Sequence, residues 1–327
     1  GDTEINAIDP SVKYDDDGSL WMTFGSWFGG LWALKLDAST GLRDYTTTYE
    51  TAKDETDQYY GIKIAGGHGN SGEGSYIMKQ GDYWYLFVSY GALQQQGGYQ
   101  IREFRSKNIT GPYVDEDGNN AVSTETIGSN WTLKTGIRLM GSVEWSGNDN
   151  ANIEVAQGHN SAFVDEDGTA YVVYHTRFSN RNEEHEVRVR ELLTTADGWL
   201  VAAPYEYTGV KANAKGYQES QLTGEYEFVV HDPTTFFQGS NGTAKDGKYP
   251  YKGVDEPITI KLESGGKVSG DKTGTWSFNK DSNQMTITID GTEYQGDFAQ
   301  LPRETDLKSV MTFTAIGGNT CVWGSQV

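Results

Sequence analysis

One unit recurs along the first part of this chain and limits what it can fold into. A polar turn leads into a strand that is apolar on both faces, and a second turn leads into another strand, near residues 9–37, 73–106 and 159–191. Asp15-Asp16-Asp17-Gly18 precedes Leu20-Trp21-Met22-Thr23-Phe24, and Gly81-Asp82 precedes Tyr83-Trp84-Tyr85-Leu86-Phe87-Val88. Glu166-Asp167-Gly168 likewise precedes Ala170-Tyr171-Val172-Val173-Tyr174, and Asp197-Gly198 precedes Trp199-Leu200-Val201. Glycine accepts a positive φ without steric penalty, so such pairs close tight hairpins. Helical periodicity is missing almost throughout. A strand apolar on both sides is satisfied only inside stacked layers, so the chain reads as all-β. Four-stranded sheets set radially, as propeller blades, give this recurrence, and a β-sandwich gives it equally well.

Near residue 208 the texture changes. Val210-Lys211-Ala212-Asn213-Ala214-Lys215-Gly216 is short, polar and small. Residues 209–216 therefore read as a linker after a first domain of residues 1–208. Beyond it a two-residue alternation sets in. Met285, Ile287 and Ile289 alternate with Thr286 and Thr288, and Met311, Phe313 and Ala315 alternate with Val310, Thr312 and Thr314. One oily and one wet face suit a small antiparallel β-barrel over residues 217–327. Cys321 is the only cysteine. It falls in the last strand of that barrel as a core thiol, and alone it excludes an internal disulfide or a multi-cysteine metal site.

Charge narrows the partners. Lys and Arg total 26 against 46 Asp and Glu, a net charge of −20, which repels nucleic-acid backbones and anionic bilayers. Mean hydropathy is −0.62, and no apolar run is long enough for a transmembrane helix.

The histidines are His68, His159, His175, His185 and His231. None lies in a nucleophile elbow or an HExxH pattern, and no phosphate loop occurs, so acyl transfer, zinc proteolysis and nucleotide hydrolysis lack support. Carboxylates remain, most of them solvated surface groups. Two stand out by context. Asp9 sits in Ile5-Asn6-Ala7-Ile8-Asp9-Pro10-Ser11-Val12, an acid inside an apolar strand start. Glu73 sits in Gly66-Gly67-His68-Gly69-Asn70-Ser71-Gly72-Glu73-Gly74-Ser75-Tyr76-Ile77, where the glycines let a ligand approach the backbone. Burial there would favour the protonated, proton-donating form. The plainer reading makes Asp9 a turn cap before Pro10 and Glu73 a loop acid.

These residues carry a resemblance. Asn6-Ala7-Ile8-Asp9-Pro10, followed by Leu20-Trp21-Met22-Thr23-Phe24-Gly25-Ser26-Trp27-Phe28-Gly29-Gly30, resembles the third blade of the endo-α-1,5-L-arabinanases of glycoside hydrolase family 43. Glu73-Gly74-Ser75-Tyr76-Ile77 is similar to the family's general-acid segment, and Gly158-His159-Asn160-Ser161-Ala162-Phe163 to the segment that sets a histidine beside the metal. Tyr174-His175-Thr176-Arg177-Phe178, Glu184-His185-Glu186-Val187-Arg188-Val189 and Asp197 to Tyr205 match later strands. The tail after residue 215 resembles the extra β-barrel domain of the larger extracellular members.

The resemblance implies a five-bladed β-propeller with three carboxylates at one mouth, of which this chain carries blades three to five. It casts Glu73 as the acid and Asp9 as the group that tunes and orients it. The base Asp belongs to the first blade. The chain opens at Gly1 with neither an initiator Met nor a signal peptide, and the first two blades are expected on a separate N-terminal polypeptide. His231-Asp232-Pro233 mimics the base motif but falls in the barrel region, where it reads as a turn after a strand. Calcium is implied as a cofactor, with His159 as its neighbour on the strength of the resemblance alone, since calcium prefers oxygen ligands. Asn6, Ser26, Trp27, Phe28, His68 and Asn70 are the candidates for sugar binding, the rings by stacking and the polar groups by bonds to hydroxyls. Arabinan, a neutral polymer, suits the charge, and the resemblance implies a protein that is secreted, periplasmic or at the cell surface. Rival readings are an exo-acting arabinofuranosidase or β-xylosidase, and a noncatalytic carbohydrate-binding propeller.

Overall fold

The computed structural model describes residues 4–126, 135–146, 153–179, 181–231 and 254–327. It is all-β, and its strands fall into three open sheets and a closed barrel. The first sheet is 5-stranded in the order β1-β2-β3-β5-β4, built from β1 (Ser11–Tyr14), β2 (Leu20–Phe24), β3 (Leu31–Leu36), β4 (Thr56–Asp57) and β5 (Gly61–Ala65). The second, 4-stranded, runs β6 (Glu73–Gln80), β7 (Tyr83–Tyr90), β8 (Gln100–Ser106) and β9 (Ile137–Arg138). The third, also 4-stranded, runs β10 (Glu154–Val164), β11 (Ala170–Phe178), β12 (His185–Thr194) and β13 (Leu200–Ala202). All pairings are antiparallel; the second and third sheets are meanders, whereas in the first β3 pairs with β5 and β4 lies outside it at the edge. The run Tyr83–Val88 is buried on both faces as expected, with Leu86, Phe87 and Val88 wholly inaccessible.

What positions a site is the way the sheets meet. The leading strand of the second sheet, β6, packs against β10 on one side and against β1 and β2 on the other. Residues at one end of β1, β6 and β10 are thereby brought close although they are far apart in sequence.

The C-terminal strands close a barrel in chain order: β14 (Gly224–His231), β15 (Ile258–Glu263), β16 (Lys267–Gly270), β17 (Gly274–Phe278), β18 (Gln284–Ile289), β19 (Thr292–Pro302), β20 (Ser309–Gly317) and β21 (Thr320–Gln326). The last, β21, pairs with both β20 and β14. The alternation along β18 is realised, with Met285, Ile287 and Ile289 inside and Thr286 and Thr288 half-exposed. Along β20 the expected wet face is instead dry. Thr312 and Thr314 are fully buried, because this wall of the barrel is docked on the sheets. Ala299, Leu301, Ile316, Cys321 and Trp323 share one apolar core with Tyr85, Ile101, Val172, Leu200 and Ala202. A hydroxyl is tolerated there when it finds a carbonyl, and Thr312 donates to the Ala299 oxygen at 2.7 Å.

Polar bonds cross the same junction. Arg190 on β12 is buried and donates to the Tyr174 hydroxyl at 2.8 Å, while its Nη2 lies 3.3 Å from Glu154 and 3.6 Å from Glu304 of the barrel. Tyr205 bonds Ser325 at 2.7 Å, and the Asn319 amide donates to Asp115 at 2.9 Å. Residues 209–216 lie along the third sheet, where the Ala212 N–H donates to Glu191 at 2.9 Å and Lys211 pairs with Asp167. His231 is the last residue of β14 and is buried with its ring edge-on to Trp323. Asp232 and Pro233 lie outside the described residues. Cys321 is buried and its thiol is pushed up to about 12 by burial, so it is an inert core thiol as expected.

One buried acid at this wall makes stability depend on pH. Asp297 on β19 is 1% exposed, its Oδ2 has no hydrogen-bond partner, and burial pushes its carboxyl up to about 7. The folded state then binds a proton that the unfolded chain releases near pH 4, so this group's contribution falls as pH rises from about 4 to about 7 and levels off above. Asp297→Asn removes that slope. Its stability relative to the wild type is expected to be higher at pH 8 than at pH 4.5 by up to roughly 3 kcal/mol, measured as urea-unfolding free energies at the two pH values. An equal difference at both would count against it.

Candidate active site

Asp9 lies two residues before β1, and Ser26 and Trp27 follow β2. The antiparallel register sets Ser11 opposite Thr23, and the Gly25 N–H donates to the Ile8 oxygen at 2.9 Å, so both segments lie at one end of the first hairpin. The Trp27 N–H then reaches across to the Gly72 oxygen at 2.7 Å, tying that end to the start of β6. Glu73 is the first residue of β6 and pairs with Ser89, near the end of β7. Tyr99 immediately precedes β8 at the same end. His159 comes from β10, where the register with β11 shifts on either side of Gly158. Such bulges re-aim side chains.

Backbone strain concentrates here. Asp9 has φ 56°, Trp27 53°, Phe28 39° and His159 48°, left-handed values that are costly for residues with a side chain. Strained backbone of this kind persists where the surrounding structure over-determines it, and it clusters at functional sites.

The result is a Glu73 carboxyl gripped by three donors. Ser26 Oγ and Trp27 Nε1 both donate to Oε2, at 3.2 and 3.1 Å, and the Tyr99 hydroxyl donates to Oε1 at 2.6 Å. Beyond Tyr99 stands His159, its Nδ1 3.4 Å from the same hydroxyl and its Nε2 3.6 Å from Asp9 Oδ1. Asp9 Oδ2 is buried without a hydrogen-bond partner. Asp9 and Glu73, 64 positions apart in the numbering, thus face the same Tyr99–His159 pair. Burial, and then the charge of Glu73, push the Tyr99 phenol well above its ordinary range, so it stays a neutral donor. His175 stacks on the Tyr99 ring at 5.8 Å and is pushed down to about 4, first by burial and then by His185 and His159. It is neutral at ordinary pH.

The remaining sequence candidates fall into place differently. Phe28 is exposed, 55% of its surface open to solvent, as a stacking ring requires. Asn6 is half-buried just before β1, its carbonyl accepting from the Ile8 N–H. The contacts of His68 and Asn70 run away from Glu73. His68 Nε2 is 2.8 Å from Asp54, which also holds the buried Lys63 at 3.0 Å, and the Asn70 amide donates to the Glu125 carbonyl at 2.9 Å. These two side chains fasten the loop that leads to Glu73. Tyr99 escapes a reading of sequence alone. Its one signal is the Gly97-Gly98 pair before an alternating Tyr99-Gln100-Ile101, which marks a strand start but not a target for the hydroxyl.

No group of three or more His, Cys, Asp and Glu side chains is placed to hold a metal among the described residues. His159 and Asp9 offer one imidazole and one carboxylate, short of the six to eight oxygens that calcium takes. Water or further residues would have to supply the rest of a calcium shell.

The family model described as glycosyl hydrolases family 43 matches residues 2–200, and one described as a C-terminal lipocalin-like domain matches residues 204–324. An extracellular endo-α-(1→5)-L-arabinanase of Bacillus subtilis is 36% identical over 98% of this chain and 64% of its own length. One from Thermotoga petrophila is equally similar over the same shares, and a crystal structure of the endo-1,5-α-L-arabinanase from that organism superposes with a TM-score of 0.85 at 34% identity, covering 100% of this chain and 68% of that one. The chain spans a little under two thirds of the length of these two relatives. By the extent of the first match, the chain belongs to glycosyl hydrolase family 43.

Proposed function

We propose that this chain is the larger part of a secreted endo-acting arabinanase that cleaves internal α-1,5-L-arabinofuranosyl bonds with inversion. Glu73 protonates the leaving oxygen, and Asp9 tunes and orients it through the shared Tyr99–His159 pair. The base Asp that activates water comes from an N-terminal segment that this chain does not contain. Inverting glycosidases hold acid and base roughly 6.5–9.5 Å apart, with the water between them.

The observation that carries this reading is the Glu73 carboxyl, held by three donors beside Asp9 at the end where the sheets meet. The same reading makes the three sheets blades three to five of a five-bladed propeller. Val12 and Tyr14 on β1, and Phe163, Val164 and Val187 on the third sheet, are exposed, as faces awaiting two further blades would be. Calcium beside His159 enters only through the family resemblance.

The test is to combine the chain with the N-terminal segment and digest linear arabinan, following the products by NMR. The reading expects mixed oligomers whose new reducing ends first appear as the β-anomer. A first-formed α-anomer would refute inversion, arabinose alone would mean exo action, and binding without turnover would favour a noncatalytic propeller.

A further inference from the structure

We propose that Tyr99 is a positioning residue that stabilises the negative charge left on Oε1 of Glu73 as its proton is transferred, the proton itself being held to that oxygen by the donors on Oε2. The inference rests on the reading of Glu73 as the acid. An indole N–H can only donate, so Trp27, 3.1 Å from Oε2, obliges that oxygen to accept. Ser26 Oγ approaches the same atom at 3.2 Å. Both acceptor positions of Oε2 are then taken. Oε1 accepts one bond, from Tyr99 at 2.6 Å, and keeps one position open. A proton on Glu73 occupies that open position.

In the reaction the O–H bond of the carboxylic acid breaks and its proton passes to the glycosidic oxygen. The bond from that oxygen to the anomeric carbon breaks with its electron pair staying on the leaving sugar. Water, activated by the base, takes the anomeric carbon. Negative charge therefore develops on Oε1, the atom to which Tyr99 donates. A hydrogen bond to an ionised acceptor is about twice as strong as a neutral one, so this contact strengthens toward the transition state and acts on kcat more than on binding.

The ring is held so that the hydroxyl can do this. Tyr99 is 2% exposed and lies nearly parallel to His175, with 14° between the planes. Gly158 sits so close beneath it that a Cβ there would stand 2.0 Å from the ring, which accounts for a glycine in the middle of β10. His159 Nδ1, at 3.4 Å, is more distant from the hydroxyl than Glu73 Oε1, and the Ser89 side chain also bonds the hydroxyl.

Tyr99→Phe keeps the ring and deletes only the hydroxyl. On linear arabinan, with the chain combined with its N-terminal segment, kcat is expected to fall roughly 10- to 100-fold, as for loss of a hydrogen bond to a charged group, with KM within about twofold. On a dinitrophenyl arabino-oligosaccharide, whose leaving group needs little proton donation, the rate should fall less than about threefold. Both rates scale with the folded fraction, so their ratio is insensitive to lost stability. Equal losses on both substrates, or none on arabinan, would overturn the inference while leaving the acid role of Glu73 intact. If the unsubstituted protein cleaves neither substrate, the reading of Glu73 falls and this inference falls with it.

Discussion

Glu73→Gln is expected to lower kcat on linear arabinan by about 10³-fold, within the range that general acid catalysis supplies, and to leave KM nearly unchanged. The substitution suits the pocket. The amide oxygen can take the Oε2 place and accept from Ser26 and Trp27, and the amide nitrogen can then face Tyr99, whose hydroxyl turns round to accept. The fold should survive, and only the proton is lost. Dinitrophenyl substrates should retain most of their rate, because their leaving group departs without help. Reducing-sugar release from arabinan, set beside dinitrophenolate release, measures both. Activity on arabinan within about threefold of the unsubstituted protein would mean that another group is the acid.

Trp323→Ala should cost about 3–5 kcal/mol of unfolding free energy, the range for truncating a fully buried tryptophan. Trp323 is 1% exposed on β21, and its Nε1 donates to the Ala202 carbonyl at 3.1 Å across the junction. His231 stands edge-on at 4.4 Å, and the Arg190 guanidinium lies 5.2 Å from the ring. Truncation opens a cavity, leaves a buried carbonyl without that donor and removes a face from a buried cation. Because the barrel wall and the sheets share one core, the loss should appear in a single transition followed by fluorescence and circular dichroism alike. Two separated transitions, with only the barrel destabilised, would show that the two parts fold independently.

The strands were legible because their signals are local. Tyr83 to Val88 is apolar at every position and is buried at almost every one, and the Asp-Gly turns fall between strands where the sequence puts them. The dry face of β20 was not legible. Thr312 and Thr314 read as solvent-facing until a second surface covers them, and that surface lies more than a hundred positions away on β11 to β13. The site divides in the same way. Glycine flanks single out Glu73, and a proline marks Asp9. Trp27 reads as a ring to stack on sugar, whereas its indole N–H is spent on Glu73, 46 residues on. His68 reads as a neighbour of the acid by its five-residue spacing, yet a strained loop turns it toward Asp54, 14 residues back. Spacing along a chain says little about direction once φ turns positive.

The barrel's closing strand has a consequence for synthesis. β14 emerges from the ribosome with one edge whose partner, residues 321–326, is made only after every other strand of the barrel. Until then the nascent chain presents an open template for pairing with its neighbours. The same late strand brings Trp323, so translation halted at any earlier codon yields a chain with neither a sealed barrel nor the ring that packs between barrel and sheets, marked for aggregation or proteolysis.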